Sequence, residues 1–231
     1  MRQVILADVD AVARRAAAVI AEAAREALTE RGRFLVATSG GSTPWLMLRF
    51  LANLDLPWAR VELFQVDERI APAGHADRNL TSLKRSLLDQ LPESRGTIHA
   101  MPVEMNGTDQ MALDYSHTLA LIAGNLPVCD LVHLGLGEDG HTACLVPYDP
   151  VLDESTATFA VAGVYAGRRR LTLTYPVLDH ARRILRVVTG AAKAMMLRRL
   201  ERGDGTIPAG RVRSDHALLL ADRAASPDSN T

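Results

Sequence analysis

Short segments of the 231-residue chain carry side chains whose types and spacing could do chemistry. The first is Ser39-Gly40-Gly41-Ser42-Thr43-Pro44. Its glycines let a backbone approach an anion closely, and its hydroxyls can donate hydrogen bonds. A helix starting there would add unpaired N–H groups and a favourable dipole. Standing alone, the segment is explained equally well as a tight turn with an ordinary Ser or Thr cap. It is not a Walker loop, because the spacing is too short and no Gly-Lys-Ser/Thr follows. The second segment is Asp67-Glu68-Arg69, three charges that close an apolar run. Asp67 and Arg69 are assigned to a site at the end of that run, whereas a surface turn suffices for Glu68.

The third segment, Gly135-Leu136-Gly137-Glu138-Asp139-Gly140, fits the dinucleotide pattern G-x-G-x-x-G. Two acidic residues would then face a pyrophosphate, and Pro147 soon interrupts the helix that should follow, so a dinucleotide cofactor is rejected. His141 comes directly after this acidic turn. A neighbouring carboxylate can orient an imidazole, as a general base at neutral pH requires. The candidates for that carboxylate are Asp139 and Asp67. The fourth segment is Thr189-Gly190-Ala191-Ala192-Lys193, where an ammonium at a helix start could clamp a phosphate. Of 26 lysines and arginines only Lys84 and Lys193 are lysine, which adds slightly to the case for Lys193.

The other candidates read more plainly. His133 lies inside an apolar run and is expected to be a satisfied core residue. His75, His99, His117, His180 and His216 have no evident partners in the sequence. No His or Cys spacing resembles a metal site, and Cys144 is expected to be small packing. Of Arg168, Arg169 and Arg170, at least one could reach an anion, although a solvated charge run is the commoner origin of such a triplet.

These segments need elements to position them. Asp8 or Asp10 can cap a helix to about Arg31, with Val12, Ala16, Val19, Ile20, Ala23 and Ala27 on one stripe and Gly32 as its stop. Residues 33–38 read as a buried strand and 45–53 as a helix. A strand follows at 61–66, then helices at 79–88 and 111–124 and a strand at 130–134. Further strands are expected at 158–162, 170–174, 184–188 and 217–220, with a helix over 191–202. Strands alternating with helices predict an α/β fold: one domain over residues 1–224, a mainly parallel sheet and helices on both faces, Rossmann-like. Residues 225–231 read as a disordered tail. In such sheets ligands bind beyond the carboxyl ends of the strands, which is where the polar, glycine-rich segments fall.

Bulk properties narrow the function further. Hydrophobic residues make up 48% and charged residues 23% of the chain, enough for a sizeable core. A net charge of −1 argues against nucleic acid or an anionic membrane as the main partner. Two cysteines give no disulfide framework, no long apolar run spans a membrane, and no leader is evident. A cytoplasmic protein is expected.

Assembled in this order and spacing, the segments resemble the 6-phosphogluconolactonases over nearly the whole chain. The most specific piece is Gly-Leu-Gly-Glu-Asp-Gly-His-Thr-Ala-Cys-Leu-Val-Pro at 135–147, where the family usually has Ser for Cys144 and Phe for Val146. The glucosamine-6-phosphate deaminases share the phosphate segment and the Asp-Gly-His turn. Their histidine is usually followed by Ile-Ala-Phe-Asn-Glu-Pro, which this chain lacks, and their second-strand motif does not carry the arginine found at 69.

The resemblance implies hydrolysis of 6-phospho-D-glucono-1,5-lactone to 6-phosphogluconate, the second step of the oxidative pentose phosphate pathway, with no metal or organic cofactor. On this reading His141 activates water, with Asp139 or Asp67 orienting the ring or the sugar hydroxyls. Arg69 meets the polar end of the substrate. Ser39, Gly40, Gly41, Ser42, Thr43, Lys193 and Arg169 serve its phosphate, and Asn79 and Gly137 complete the binding set. The expected partner is a small phosphorylated sugar lactone, and the expected state a monomer or weak homo-oligomer.

Overall fold

The first strand, β1 (Arg2–Leu6), has no counterpart in the sequence expectations, since its five residues are half-exposed and show little alternation. The computed structural model describes residues 1–92, 96–104, 107–125 and 127–227. After β1 the chain forms α1 (Val9–Arg31), β2 (Phe34–Thr38), α2 (Ser42–Ala52), β3 (Val61–Gln65), β4 (Asp67–Arg69), α3 (Asn79–Ser86), β5 (Ile98–His99), α4 (Thr108–Ala123) and β6 (Leu131–Leu134). It continues through β7 (Phe159–Tyr165), β8 (Arg168–Leu173), α5 (Tyr175–His180), β9 (Ile184–Val188), α6 (Ala194–Glu201), α7 (Pro208–Arg211) and β10 (Ala217–Asp222).

Local chemistry sets these boundaries. Asp8, not Asp10, caps α1, its carboxylate accepting from the Ala11 N–H at 2.9 Å. Gly32 ends the helix at φ 74°, a left-handed conformation that glycine adopts without a Cβ penalty. The buried stripe of α1 is mostly alanine, which lets α1 lie close against α2 and the sheet.

The main sheet has seven strands in the order β1-β10-β9-β6-β2-β3-β5, and every neighbouring pair is parallel. Its inner strands β2, β6 and β9 are buried on both faces, as covered parallel sheets require, while the edge strands β1 and β5 are partly exposed. Leu185, Val187 and Leu220 face the cluster formed with α1 and α2. On the opposite side Val188, Leu219 and Ala221 pack with Leu197 and Leu200 of α6. Removing a Leu or Phe side chain of this kind from water contributes about 1.5–3 kcal/mol. Ala225 is buried in the second of these clusters, so the ordered chain runs past 224; residues 228–231 lie outside the described residues.

The sequence expectations placed 158–162 and 170–174 among the strands of a mainly parallel sheet. The structure puts them in a separate three-stranded antiparallel sheet, β4-β8-β7. Asp67–Arg69 is itself one of its two edge strands. Val66 is the pivot: its N–H donates to Thr38 of the main sheet at 3.0 Å, and its carbonyl accepts from Leu173 at 2.8 Å. The chain thus passes from one sheet to the other at Val66, and the three charges that follow pair with β8 of the small sheet.

Candidate active site

Strand order decides where a site can form. From β2 the chain moves outward through β3 to β5, then returns to the other side of β2 with β6 and moves away through β9. Two neighbouring strands whose connections leave in opposite directions open a crevice at their carboxyl ends. A cleft of about 250 Å³ lies there, lined by residues 39–44, 135–137, 141–143 and 187–189 together with Asp67, Arg69, Asn79, Arg170 and Lys193. It therefore gathers Ser39, Gly40, Gly41, Ser42, Thr43, Asp67, Arg69, Asn79, Gly137, His141 and Lys193 from the expected set. Asp139 stands immediately behind His141.

The first wall is the glycine segment. α2 begins at Ser42, three residues earlier than expected, so the Ser42 and Thr43 N–H groups belong to its first turn. Pro44 takes a first-turn position where no N–H is needed. Gly40 is required by space, because a Cβ there would lie 2.2 Å from Asn79 Oδ1. The segment is tied down from behind. Ser39 donates its N–H to His133 Nδ1 at 3.3 Å and its hydroxyl to the His133 carbonyl at 2.9 Å. His133 is thus a brace for this loop as well as a core residue. Burial pushes its imidazole down to about 4, so it is neutral and can accept. Thr43 and Thr189 hydroxyls meet at 2.7 Å and join this wall to the next.

The second wall is the loop after β9. Asp222, at the end of β10, accepts from the Gly190 N–H through both oxygens at 3.0 and 3.1 Å. Lys193 ends the 3₁₀ turn Ala191–Lys193, and its ammonium lies 3.7 Å from the exposed Glu138 carboxylate. A contact that long at the surface leaves the cation free to meet a ligand.

The third wall carries the expected base. His141 Nδ1 lies 2.6 Å from Asp139 Oδ1, and the same oxygen accepts the His141 backbone N–H at 3.1 Å. Burial pushes the Asp139 carboxyl up, but the His141 backbone N–H and ring outweigh it and hold Asp139 below its ordinary range. Asp139 therefore fixes the ring through Nδ1 and leaves Nε2 for other partners. Gly140, at φ 87°, allows the sharp turn, and its carbonyl accepts from Ala209 at 3.0 Å. Gly137 leaves no room for a Cβ, which would stand 2.0 Å from His141 Nδ1.

Asp67 makes no hydrogen bond or ion pair with His141. Its Oδ2 accepts from the Asn79 amide at 3.2 Å and from the Cys144 thiol at 3.1 Å. Cys144 is therefore more than packing. Burial, with Asp67 beside it, holds the thiol far above its ordinary range, so it remains a neutral donor. Arg170 Nη1 donates to the same sulfur at 3.5 Å.

Other expectations need correction. Arg169 is exposed and does not line the cleft; Arg170 does. Strand alternation explains the exchange, since successive residues of β8 point to opposite sides of the small sheet. Glu68 is not a surface residue. Fully buried, it accepts from the N–H groups of Arg69, Asn79 and Leu80 and from Gln65 Nε2, at 2.7–2.8 Å, and pairs with the buried Arg78 at 3.4 Å. It thereby anchors the start of α3 and places Asn79 and Arg69. Of the histidines with no partner evident in the sequence, His99 meets Glu62 at 2.6 Å and stacks on Phe64. His75 faces Arg168 and His216 faces Asp215.

Among the described residues the cleft holds several polar atoms without a protein partner: Nε of Arg69 and Arg170, and Oδ1 of Asn79. Buried donors and acceptors of this kind are costly unless a ligand or water meets them. Among the described residues no group of His, Cys, Asp and Glu is arranged to hold a metal ion, and no helix is long and apolar enough to cross a membrane.

The chain is similar to known proteins in sequence and in fold. Residues 7–220 match the sequence pattern of the family described as glucosamine-6-phosphate isomerases/6-phosphogluconolactonase. A 6-phosphogluconolactonase from Synechocystis sp. is 38% identical over 73% of this chain and 71% of its own length. One from Rattus norvegicus is 35% identical over 85% of this chain and 80% of its own. In fold, the chain is similar to a 6-phosphogluconolactonase from Trypanosoma cruzi, with a TM-score of 0.85 at 22% identity over 100% of this chain and 97% of that one.

Proposed function

The chain belongs to the family of glucosamine-6-phosphate isomerases and 6-phosphogluconolactonases, and we propose that within it the protein hydrolyses 6-phospho-D-glucono-1,5-lactone to 6-phosphogluconate. The observation that carries this reading is the Asp139–His141 pair, set on one wall of the cleft facing a glycine-rich helix start and Lys193. In this reading the substrate phosphate meets the Ser42 and Thr43 N–H groups, their hydroxyls and the Lys193 ammonium. His141 Nε2 takes a proton from water, and the water oxygen attacks the lactone carbonyl. The imidazolium, steadied by Asp139, then returns the proton to the departing ring oxygen. Arg69 and Arg170 supply positive charge for the carbonyl oxygen as it becomes an oxyanion. Asp67 and Asn79 orient the sugar hydroxyls. The partner is a free small molecule, and the reaction is assigned to the cytoplasm and the oxidative pentose phosphate pathway.

The test is hydrolysis of freshly generated lactone, followed with a coupled 6-phosphogluconate dehydrogenase and corrected for the spontaneous rate. General-base catalysis contributes roughly 10²–10⁴-fold, so His141→Ala should lose at least the lower figure. Acceleration that survives in the folded variant keeps the reaction and removes His141 from it. No acceleration by the parent protein, with ammonia released from glucosamine 6-phosphate, would move the assignment to a deaminase.

A further inference from the structure

Tyr165 was not singled out by its sequence context, yet it touches both halves of the proposed machinery. It ends β7, at the tip of a hairpin closed by Ala166 at φ 50° and Gly167 at φ 79°. That left-handed pair gives a tight turn of the kind that matches strand twist. The β7–β8 register shifts between Ala162 and Tyr165, as at a bulge, which re-aims the side chains that follow. Val164 points to solvent at 71% exposure, and Tyr165 points inward.

The Tyr165 ring stands edge-on to the His141 imidazole, with centroids 5.1 Å apart and planes at 64°. The Arg170 guanidinium lies over the same ring at 5.1 Å from its centroid, and Arg170 Nη2 donates to the Tyr165 carbonyl at 3.4 Å. Arg170 has no carboxylate within ion-pair distance among the described residues, and its Nε is buried without a partner. The aromatic face, one long backbone bond and the Cys144 sulfur at 3.5 Å from Nη1 are therefore what hold this cation at the cleft. Burial first, then the Asp139 carboxylate facing its hydroxyl, raise the Tyr165 phenol above its ordinary range, so it stays neutral. Across the hairpin, Arg168 binds Asp77 at 3.1 Å and faces His75 at 3.3 Å, tying the turn to the loop beside Arg69.

We propose that Tyr165 is a positioning residue for the hydrolysis: its ring sets the His141 imidazole and the Arg170 guanidinium at a fixed separation, so that base and cation meet one carbonyl. The proposal rests on the reading of His141 as the base. It predicts that the ring matters more than the hydroxyl, and that Tyr165 acts through His141. A misplacement of about 1 Å in a reacting group can cost around 10²-fold in rate.

The lactone hydrolysis assay should therefore compare Tyr165→Ala, Tyr165→Phe, His141→Ala and the double variant Tyr165→Ala/His141→Ala, with Gly167→Ala as a control. Gly167→Ala strains the same turn, because a side chain at φ 79° is disfavoured, but it leaves the ring in place. The expected result is a kcat loss of about 10- to 100-fold for Tyr165→Ala with KM nearly unchanged. Tyr165→Phe should stay within about threefold of the parent. Adding Tyr165→Ala to His141→Ala should cost little more, as for residues that act as a unit. If Tyr165→Ala does not fold, Tyr165→Leu replaces it, keeping apolar bulk without an aromatic face.

A folded Tyr165→Ala or Tyr165→Leu protein with the parental kcat overturns the proposal. So does a Gly167→Ala loss of the same size, or a double variant in which the two losses multiply, since both mean that only the hairpin's stability is at stake. A His141→Ala protein with the parental rate overturns the base assignment and this proposal together. That outcome is separable from the others because it shows in the single His141 variant.

Discussion

Gly137→Ala is the smallest change that should disable the site while leaving the fold intact. Gly137 is buried, and its φ lies outside the left-handed region, so alanine is acceptable to the backbone there. The obstacle is what the new methyl would meet. An ideal Cβ would stand 2.0 Å from His141 Nδ1, 2.4 Å from His141 Cε1 and 2.5 Å from Asp139 Oδ1. Ordinary van der Waals contact begins near 3.4 Å, so the imidazole must retreat by 3.4 − 2.0 = 1.4 Å. Retreat is obstructed, because Tyr165 stands edge-on to the ring and Asp139 grips Nδ1 at 2.6 Å.

Overpacking of this kind costs about 1–3 kcal/mol of stability, which a domain with the usual 5–15 kcal/mol tolerates. If His141 is the base, as proposed, displacing it by more than 1 Å should lower kcat by about 10²-fold or more. The assay is coupled lactone hydrolysis on protein whose thermal unfolding has been measured in parallel. A well-folded Gly137→Ala enzyme with kcat within threefold of the parent would refute the reasoning, because His141 could not then need the position it occupies.

Other predictions test other parts of the argument. Arg170→Gln should lower kcat/KM on the order of 10²-fold, whereas Arg169→Gln, at an exposed position, should stay within about twofold; equal losses would contradict the alternation of β8. His133 should make the fold acid-sensitive. Its pKa falls from 6.5 to about 4 on folding, so below 6.5 the unfolded chain binds a proton that the folded chain refuses. Its full contribution is present above about pH 6.5 and is lost as pH falls towards 4, amounting to about 2 kcal/mol by pH 5. Urea midpoints should show this loss, and His133→Asn should flatten it. Glu68→Gln would place an amide among donors and leave Arg78 with a weakened partner. Breaking a buried pair costs about 3–5 kcal/mol, so Tm should drop by on the order of 10 °C; a shift under 2 °C would mean that Glu68 does not anchor α3.

Much of this molecule was legible in local chemistry. Asp8 and Gly32 bound α1 because a cap and a left-handed stop are properties of the residues themselves. The apolar runs of β2, β3, β6 and β9 read as strands because a parallel sheet buries both faces and so needs no alternation. The glycine-rich segments at their carboxyl ends marked the cleft for the same reason, since ligands bind there in such sheets. His141 stood out because the carboxylate that grips it is only two residues away.

What the sequence alone could not determine depends on distant partners. β1 is ordered by pairing with β10 at the other end of the chain, and nothing in five half-exposed residues announces that. Glu68 looked like a surface charge until Asn79, Leu80 and Arg78 closed around it. That His141 bonds to Asp139 and not to Asp67 follows from where Val66 carries the chain: into the small sheet, where Asp67 faces Asn79 and Cys144. The exchange of Arg169 for Arg170, and the seat of Tyr165, follow from the register of the β7–β8 hairpin. A one-residue slip in a strand turns every side chain to the opposite face, and that register is fixed by tertiary packing rather than by the strand's own residues.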